Sequence, residues 1–255
     1  MTLLFAFDPE QIVMIALTFV LAGMVKGVTG MGLPTVAMGI LGSLISPVAA
    51  AAMLLLPSLV SNLFQFGGGG NTRTLLKRLW PMLLTVVIAT LLASVWITGG
   101  ETSRTQFALG LALMVYALWT LAGKRIAVSP RREKPVSLIV GFATGLLTGG
   151  TGVFVMPAVP WIQSLGFGKD ELVQALGISF TFSTLALALG LWWHGALPVQ
   201  SMSLSAFAIV PALIGQWAGT RIRRAISPVV FKRCFLFCLM GLSVEMMLRA
   251  SSSAL

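Results

Sequence analysis

The chain has 255 residues, of which 57% are apolar and 9% are Asp, Glu, Lys or Arg, with a net charge of +10. A water-exposed surface needs about 25% charged residues, so this composition excludes a soluble enzyme or binding module and makes lipid the solvent for most of the chain. The basic residues stand in short runs between apolar segments, not along one amphipathic face. That distribution reads as orientation in the bilayer and contact with anionic lipid head groups, and it leaves no nucleic-acid partner.

In chain order, the N-terminus carries Asp8 and Glu10 and no basic residue before Lys26, so it lacks the charged start of a cleavable secretory signal, and the first apolar run is expected to be retained. Apolar segments are predicted at Gln11–Thr29, Leu33–Ile45, Pro47–Phe66, Leu79–Thr98 and Thr105–Gly123. A basic, Pro-containing stretch follows at 124–135. Five more segments lie at Val136–Thr148, Gly152–Leu165, Glu171–Trp193, Ser203–Arg221 and Val229–Met247. Some of these have only 13 or 14 residues, short for a full crossing, and suit broken or re-entrant hairpins.

The two sets of five answer one another. Gly23-x-x-x-Gly27 with Gly30-Met-Gly32 corresponds to Gly141-x-x-x-Gly145 with Gly150-Thr-Gly152, and the Pro81 helix corresponds to the Pro211 helix. The expected architecture is therefore an all-α integral membrane protein of eight to ten membrane segments. It consists of a first helical repeat over 1–123, a basic cytoplasmic linker over 124–135 and a second repeat over 136–255. Lys and Arg concentrate in the loops after Phe66, Gly123 and Arg221, which the positive-inside rule places in the cytoplasm of a bacterial-type inner membrane. Fourteen of the 17 basic residues then lie inside. An odd number of segments per copy makes the repeats inverted, with the two glycine breaks expected to approach near the midplane.

An unwound stretch survives at membrane depth only when it is buried in protein or lines a wet cavity. The half-helix that follows a break offers unpaired N–H groups suited to an anion. Thr29, Gly30 and Gly32 in the first break, and Thr148, Gly150, Thr151 and Gly152 in the second, are thus candidate substrate-binding positions. The Gly23/Gly27 and Gly141/Gly145 pairs read as close helix packing. Lys26 is the one basic residue well inside an apolar run. Either it faces a cavity and attracts an anion, or it sits at a hairpin end and snorkels to water. Asn62, Gln65, Ser179, Ser183 and Gln216 complete the candidate set, because hydroxyls and amides donate to anion oxygens without adding charge; interhelical hydrogen bonding is their alternative role.

His194 and Glu245 are the remaining candidates for proton coupling. No carboxylate lies deep in a segment, which disfavours a cation transporter. Cys234 and Cys238, one helical turn apart in an apolar stretch, read as packing, so no metal site is expected. There is neither GxSxG nor HExxH, and only one His, so catalytic residues are expected to be absent.

With these features in place, the chain resembles the sulfite exporter TauE/SafE family of membrane permeases over nearly its whole length. The resemblance is carried by Gly27-Val-Thr-Gly30-Met-Gly32, Gly145-Leu-Leu-Thr-Gly-Gly150-Thr-Gly152, the Gly177-Ile-Ser-Phe-Thr helix and Pro211-Ala-Leu-Ile-Gly215-Gln-Trp-Ala-Gly219. It implies secondary transport of small anions such as sulfite, sulfoacetate or other sulfonates, driven by a proton gradient without a bound cofactor. A passive anion channel and an intramembrane enzyme are the alternatives, and a homodimer is left open.

Overall fold

The computed structural model describes residues 8–68, 71–123, 130–223, 225 and 227–252. Half of the expected linker, residues 124–129, lies outside the described residues. Among the described residues ten α-helices follow one another: α1 Pro9–Thr29, α2 Leu33–Leu44, α3 Pro47–Gly67, α4 Thr72–Gly99, α5 Thr102–Ala122, α6 Glu133–Thr151, α7 Ala158–Ser164, α8 Lys169–Trp193, α9 Val199–Ile222 and α10 Pro228–Ser252. Among the described residues there is no strand. Six of the helices, α1, α3, α4, α5, α8 and α9, are long and apolar enough to cross a membrane. The protein is an all-α membrane protein. Large apolar side chains such as Leu17, Leu92, Leu118 and Leu189 point outward, while the interior combines large apolar side chains such as Phe19, Phe154, Trp161 and Phe180 with buried Ser, Thr, Asn and Lys residues.

Local chemistry sets the helix starts. Proline occupies the first turn of α1, α2 and α3, where its missing N–H costs nothing. The Ser46 side chain accepts from the Ala49 N–H at 3.2 Å and caps α3. Pro57, Pro81 and Pro211 lie inside helices. Beside Pro57, the Leu56 N–H donates to Ser205 Oγ on α9 at 3.1 Å, so a neighbouring helix supplies a partner at the interruption.

Glycine contacts set how the helices pair. A Cβ on Gly23 would stand 2.0 Å from the Ala212 carbonyl oxygen, and one on Gly27 2.3 Å from that of Gln216. Reciprocally, Gly215 and Gly219 back onto Val20 and Met24. α1 and α9 therefore run parallel at backbone contact. α6 and α4 do the same, with Gly141 on Met82, Gly145 on Val86 and Gly149 on Thr90. The Gly23/Gly27 and Gly141/Gly145 pairs are close-packing glycines.

The remaining pairs fix the other directions. Asn62 meets Thr184 and Phe66 meets Gln174, so α3 and α8 run antiparallel. Ser103 reaches Ala250 while Gly110 backs onto Ser243, so α5 and α10 are also antiparallel. Leu56–Ser205 and Ser61–Gln216 make α3 parallel to α9.

The second of the two hairpins departs from expectation. Of the apolar segment expected over Gly152–Leu165, only Ala158–Ser164 is helical, after an irregular stretch from Val153 and a turn at Met156–Pro157. Pro157 lacks an N–H and disfavours helical geometry in the residue before it, and Val153 and Val155 are β-branched. These residues are nevertheless buried, with Phe154 against Phe180 at 5.4 Å between ring centroids.

The helix directions gather charge at the two ends. At one end Arg78 pairs with Glu133 at 2.6 Å and donates to the Leu165 carbonyl at 3.0 Å, tying α4, α6 and α7 together. Arg221, Arg223 and Lys232 lie at that end too. The other end carries Glu101 with Arg104 and Glu245 with Arg249.

Candidate functional site

Lys26 sits one turn before the end of α1 and is 2% exposed. Its ammonium nitrogen donates to Asn62 Oδ1 on α3. The Asn62 amide donates in turn to Thr184 Oγ1 on α8 at 3.4 Å, and the Thr184 hydroxyl donates to the Phe180 carbonyl at 2.7 Å. The chain of contacts thus crosses from α1 through α3 to α8. All three ion pairs among the described residues lie at the ends of the molecule, so Lys26 has no carboxylate partner in the interior. The snorkelling alternative is not what the structure holds.

A second set of bonds surrounds this line. The Ser61 hydroxyl donates to Gln216 Oε1 at 2.7 Å, and Gln65 Nε2 donates to the Gly30 carbonyl at 2.8 Å. Ser58, Ser61, Asn62 and Gln65 recur at three- and four-residue spacing and so share one face of α3. Buried oxygens of Ser58, Ser179, Ser183, Thr90 and Gln65 have no protein partner. Buried polar atoms ordinarily find one, so this interior is equipped for water or a polar ligand.

The first break is shaped by Gly30 and Gly32, with φ of 80° and 108°, backbone that L side chains avoid. Thr29 donates to the Val25 carbonyl at 2.8 Å and accepts from the Met31 N–H at 3.3 Å, holding the turn closed. The second break repeats this arrangement. Gly152 has φ of 74°, and the Thr151 hydroxyl donates to the Leu147 carbonyl at 2.6 Å and accepts from the Val153 N–H at 3.3 Å. The N–H of Gly30 bonds the Lys26 carbonyl at 2.7 Å and that of Gly152 bonds the Thr148 carbonyl at 2.8 Å. In backbone role Gly30 therefore answers to Gly152 and Lys26 to Thr148; the same spacing of 122 residues separates Ser61 from Ser183 and Asn62 from Thr184.

This register corrects two expectations. Gly150 is not in a break: it lies in the last turn of α6, beside the Trp96 ring. The breaks also do not meet at the midplane. Gly30 is anchored on Gln65, whereas Gly152 packs against Met38 and Ala51. Gln65 and Ala51 are fourteen residues apart on α3, about 20 Å at 1.5 Å per residue.

Lys26, Gly30, Asn62, Gln65 and Gln216 thus come together, with Thr29 bracing them. Ser179 and Ser183 present unpartnered hydroxyls from α8. Thr148 bonds back to the Thr144 carbonyl at 2.7 Å within α6, and Thr151 and Gly152 form the separate second break. Gly32 is spaced from the polar line, its α face against Val25 and Thr35. Sequence reading did not include Ser58, Ser61, Thr90 and Thr184 among the binding residues. The constant spacing that pairs Gly30 with Gly152 would have pointed to Ser61 and Thr184. A cavity of about 220 Å³ lined by Phe64, Gln65, Gly68, Asp170, Val173 and Gln216 opens beside the Gln65 and Gln216 amides.

The chain's sequence matches a known family. The model of the sulfite exporter TauE/SafE family matches residues 15–246. The chain belongs to this family. Over 231 residues this TauE/SafE protein is 26% identical to the probable sulfite/organosulfonate exporter TauE of Cupriavidus necator (strain ATCC 17699 / DSM 428 / KCTC 22496 / NCIMB 10442 / H16 / Stanier 337), covering 89% of this chain and 90% of that one. No solved structure matches it. As a TauE/SafE member it is a transmembrane transporter, and its polar line through Lys26 is buried among the helices.

Proposed function

We propose that this TauE/SafE protein is a secondary transporter that exports small anions, of the class of sulfite, sulfoacetate and other sulfonates or small organic anions, across a bacterial-type inner membrane. The observation that carries the reading is the Lys26–Asn62–Thr184 line: a buried amine without a carboxylate among the described residues, joined through Asn62 to helices α3 and α8, which also carry unpartnered buried hydroxyls. A buried charge needs a counter-charge. An anion at Lys26 would supply it, and the unpartnered hydroxyls of Ser58 on α3 and of Ser179 and Ser183 on α8 would share its oxygens. The relative's name, a probable sulfite/organosulfonate exporter, agrees with this chemistry.

The mechanism is alternating access driven by the proton gradient, with no bound cofactor. Corresponding helices α3 and α8, and α5 and α10, run antiparallel, which supports an inverted duplication of 1–123 and 136–255 about the Asn62–Thr184 contact. The end that holds Arg78, Arg221 and Lys232 faces the cytoplasm by the positive-inside rule. Exposed Trp80 and Trp217 near that end, and Trp96, Trp192 and Trp193 near the other, mark the two interfaces. His194 is exposed and Glu245 pairs with Arg249 at 2.5 Å, both away from the polar line.

The binding step is tested by thermal unfolding of purified protein against sulfite, sulfonates and carboxylates. At least one of these anions is expected to raise the melting temperature of the wild type, and Lys26→Met is expected to abolish that rise. Equal stabilisation of both proteins by every anion would remove Lys26 from the site.

A further inference from the structure

A larger cavity lies at the basic end, between α5, α7 and α10, and no role has been assigned to it. Its volume is about 570 Å³, inside the roughly 300–1,000 Å³ range of small-molecule sites and far more than a bare oxyanion of a few heavy atoms fills. Its walls divide by chemistry. Lys232, Gln163, Tyr116 and Thr120 offer an ammonium, an amide and two hydroxyls, while Met31, Trp119 and Phe167 provide apolar surface.

Three features give this cavity a direction. Lys232 is half-buried and has no ion pair among the described residues, so its charge is free for a ligand. Gln163 and Tyr116 come from α7 and α5, so the polar groups converge from three helices. Met31 is the residue between the left-handed Gly30 and Gly32. Through Met31 the cavity therefore touches the first break, whose Gly30 carbonyl is bonded by Gln65 of the Lys26 cluster.

We propose that this cavity is a second anion site, an entry site that takes an organic anion with one compact oxyanion head and a short apolar body. The head lies against Lys232 and Gln163, and the body against Trp119, Phe167 and Met31. The inference rests on the export reading above and deepens it, because it makes organic sulfonates a better fit than bare sulfite at the point of entry. An anionic lipid head group shares this chemistry, so the test separates the two sources.

Hexanesulfonate, methanesulfonate and sulfite are titrated by calorimetry into the full-length protein in nanodiscs of phosphatidylcholine. Hexanesulfonate is expected to bind the wild type, and in Lys26→Met, where the inner site is removed, binding at the Lys232 cavity is expected to remain. Binding should weaken about tenfold or more in Lys232→Gln, the loss of a charge-assisted hydrogen bond, and be largely kept in Lys232→Arg, with melting temperatures reporting that each variant is folded. Methanesulfonate and sulfite should bind this site more weakly than hexanesulfonate. Unchanged binding in folded Lys232→Gln, or loss in Lys26→Met alone, overturns the proposal. So does a wild type that ignores hexanesulfonate yet retains phosphatidylglycerol in a Lys232-dependent way, which would make the cavity a lipid site. Failure of the Lys26 reading, seen as unaltered sulfite binding in Lys26→Met, leaves this outcome readable on its own.

Discussion

Lys26 and Asn62 are the residues on which the account turns, because each satisfies the other in a place where neither is easily left alone. Removing the Asn62 acceptor leaves a buried cationic donor without its partner, which costs about 1–3 kcal/mol or more. Removing Lys26 at constant volume takes the charge away. Asn62→Leu is therefore expected to destabilise the protein by that amount, and the Lys26→Met/Asn62→Leu double variant by at least about 1 kcal/mol less than the sum of the two singles. Equilibrium denaturation in detergent measures the cycle, and strict additivity would contradict a direct coupling. Lys26 was visible in the sequence because a lone Lys in an apolar run needs explanation. Its partner was visible only as one of several polar residues, since hydropathy does not say which face of α3 meets α1. Thr184 was less visible still: its role comes from the crossing of α3 and α8, a tertiary fact.

At the scale of the helices, backbone contact between α4 and α6 and between α1 and α9 depends on side chains that are absent. A Cβ at Gly145 would stand 2.5 Å from the Val86 carbonyl, and one at Gly215 2.0 Å from that of Val20. Gly145→Val and Gly215→Val are expected to lose about 1–3 kcal/mol or more through overpacking. The same change at Gly67, where nothing lies within 4 Å, should cost little more than altered helix propensity. Melting temperatures of the three variants give the comparison, and equal effects would contradict it. Most helix positions were legible from the apolar runs. α4, α8 and α9 extend past them because a helix continues its hydrogen bonding through Thr72–Arg78 or Val199–Met202 after hydropathy has fallen. The second break was misplaced because Gly149, Gly150 and Gly152 are alike in composition. Only backbone geometry shows that Gly152 takes the left-handed turn while Gly149 packs on α4. The shortness of α7 follows from Pro157, whose position within an apolar stretch looked helical by pattern alone.

At the scale of the whole molecule, the all-α membrane architecture was legible from composition, and the TauE/SafE family from the glycine motifs. The separation of the two breaks was not, because it depends on how far each hairpin penetrates beside α3. The proposed inversion makes a further prediction for helix starts that correspond in the two halves. In a background with Cys234 and Cys238 replaced by Ala, Thr102→Cys at the start of α5 and Val229→Cys at the start of α10 should react with an impermeant thiol reagent from opposite sides of the membrane. Reaction of both from one side would make the repeats direct.

Transport itself is read most directly in proteoliposomes loaded with labelled anion, using sulfite and sulfoacetate in turn. With a pH gradient imposed across the vesicle membrane, wild type is expected to move at least one of these anions against its concentration gradient, and Lys26→Met is expected to fall to the level of empty vesicles. Flux of both anions only down their gradients, whatever the pH gradient, would contradict the account and describe a passive anion channel.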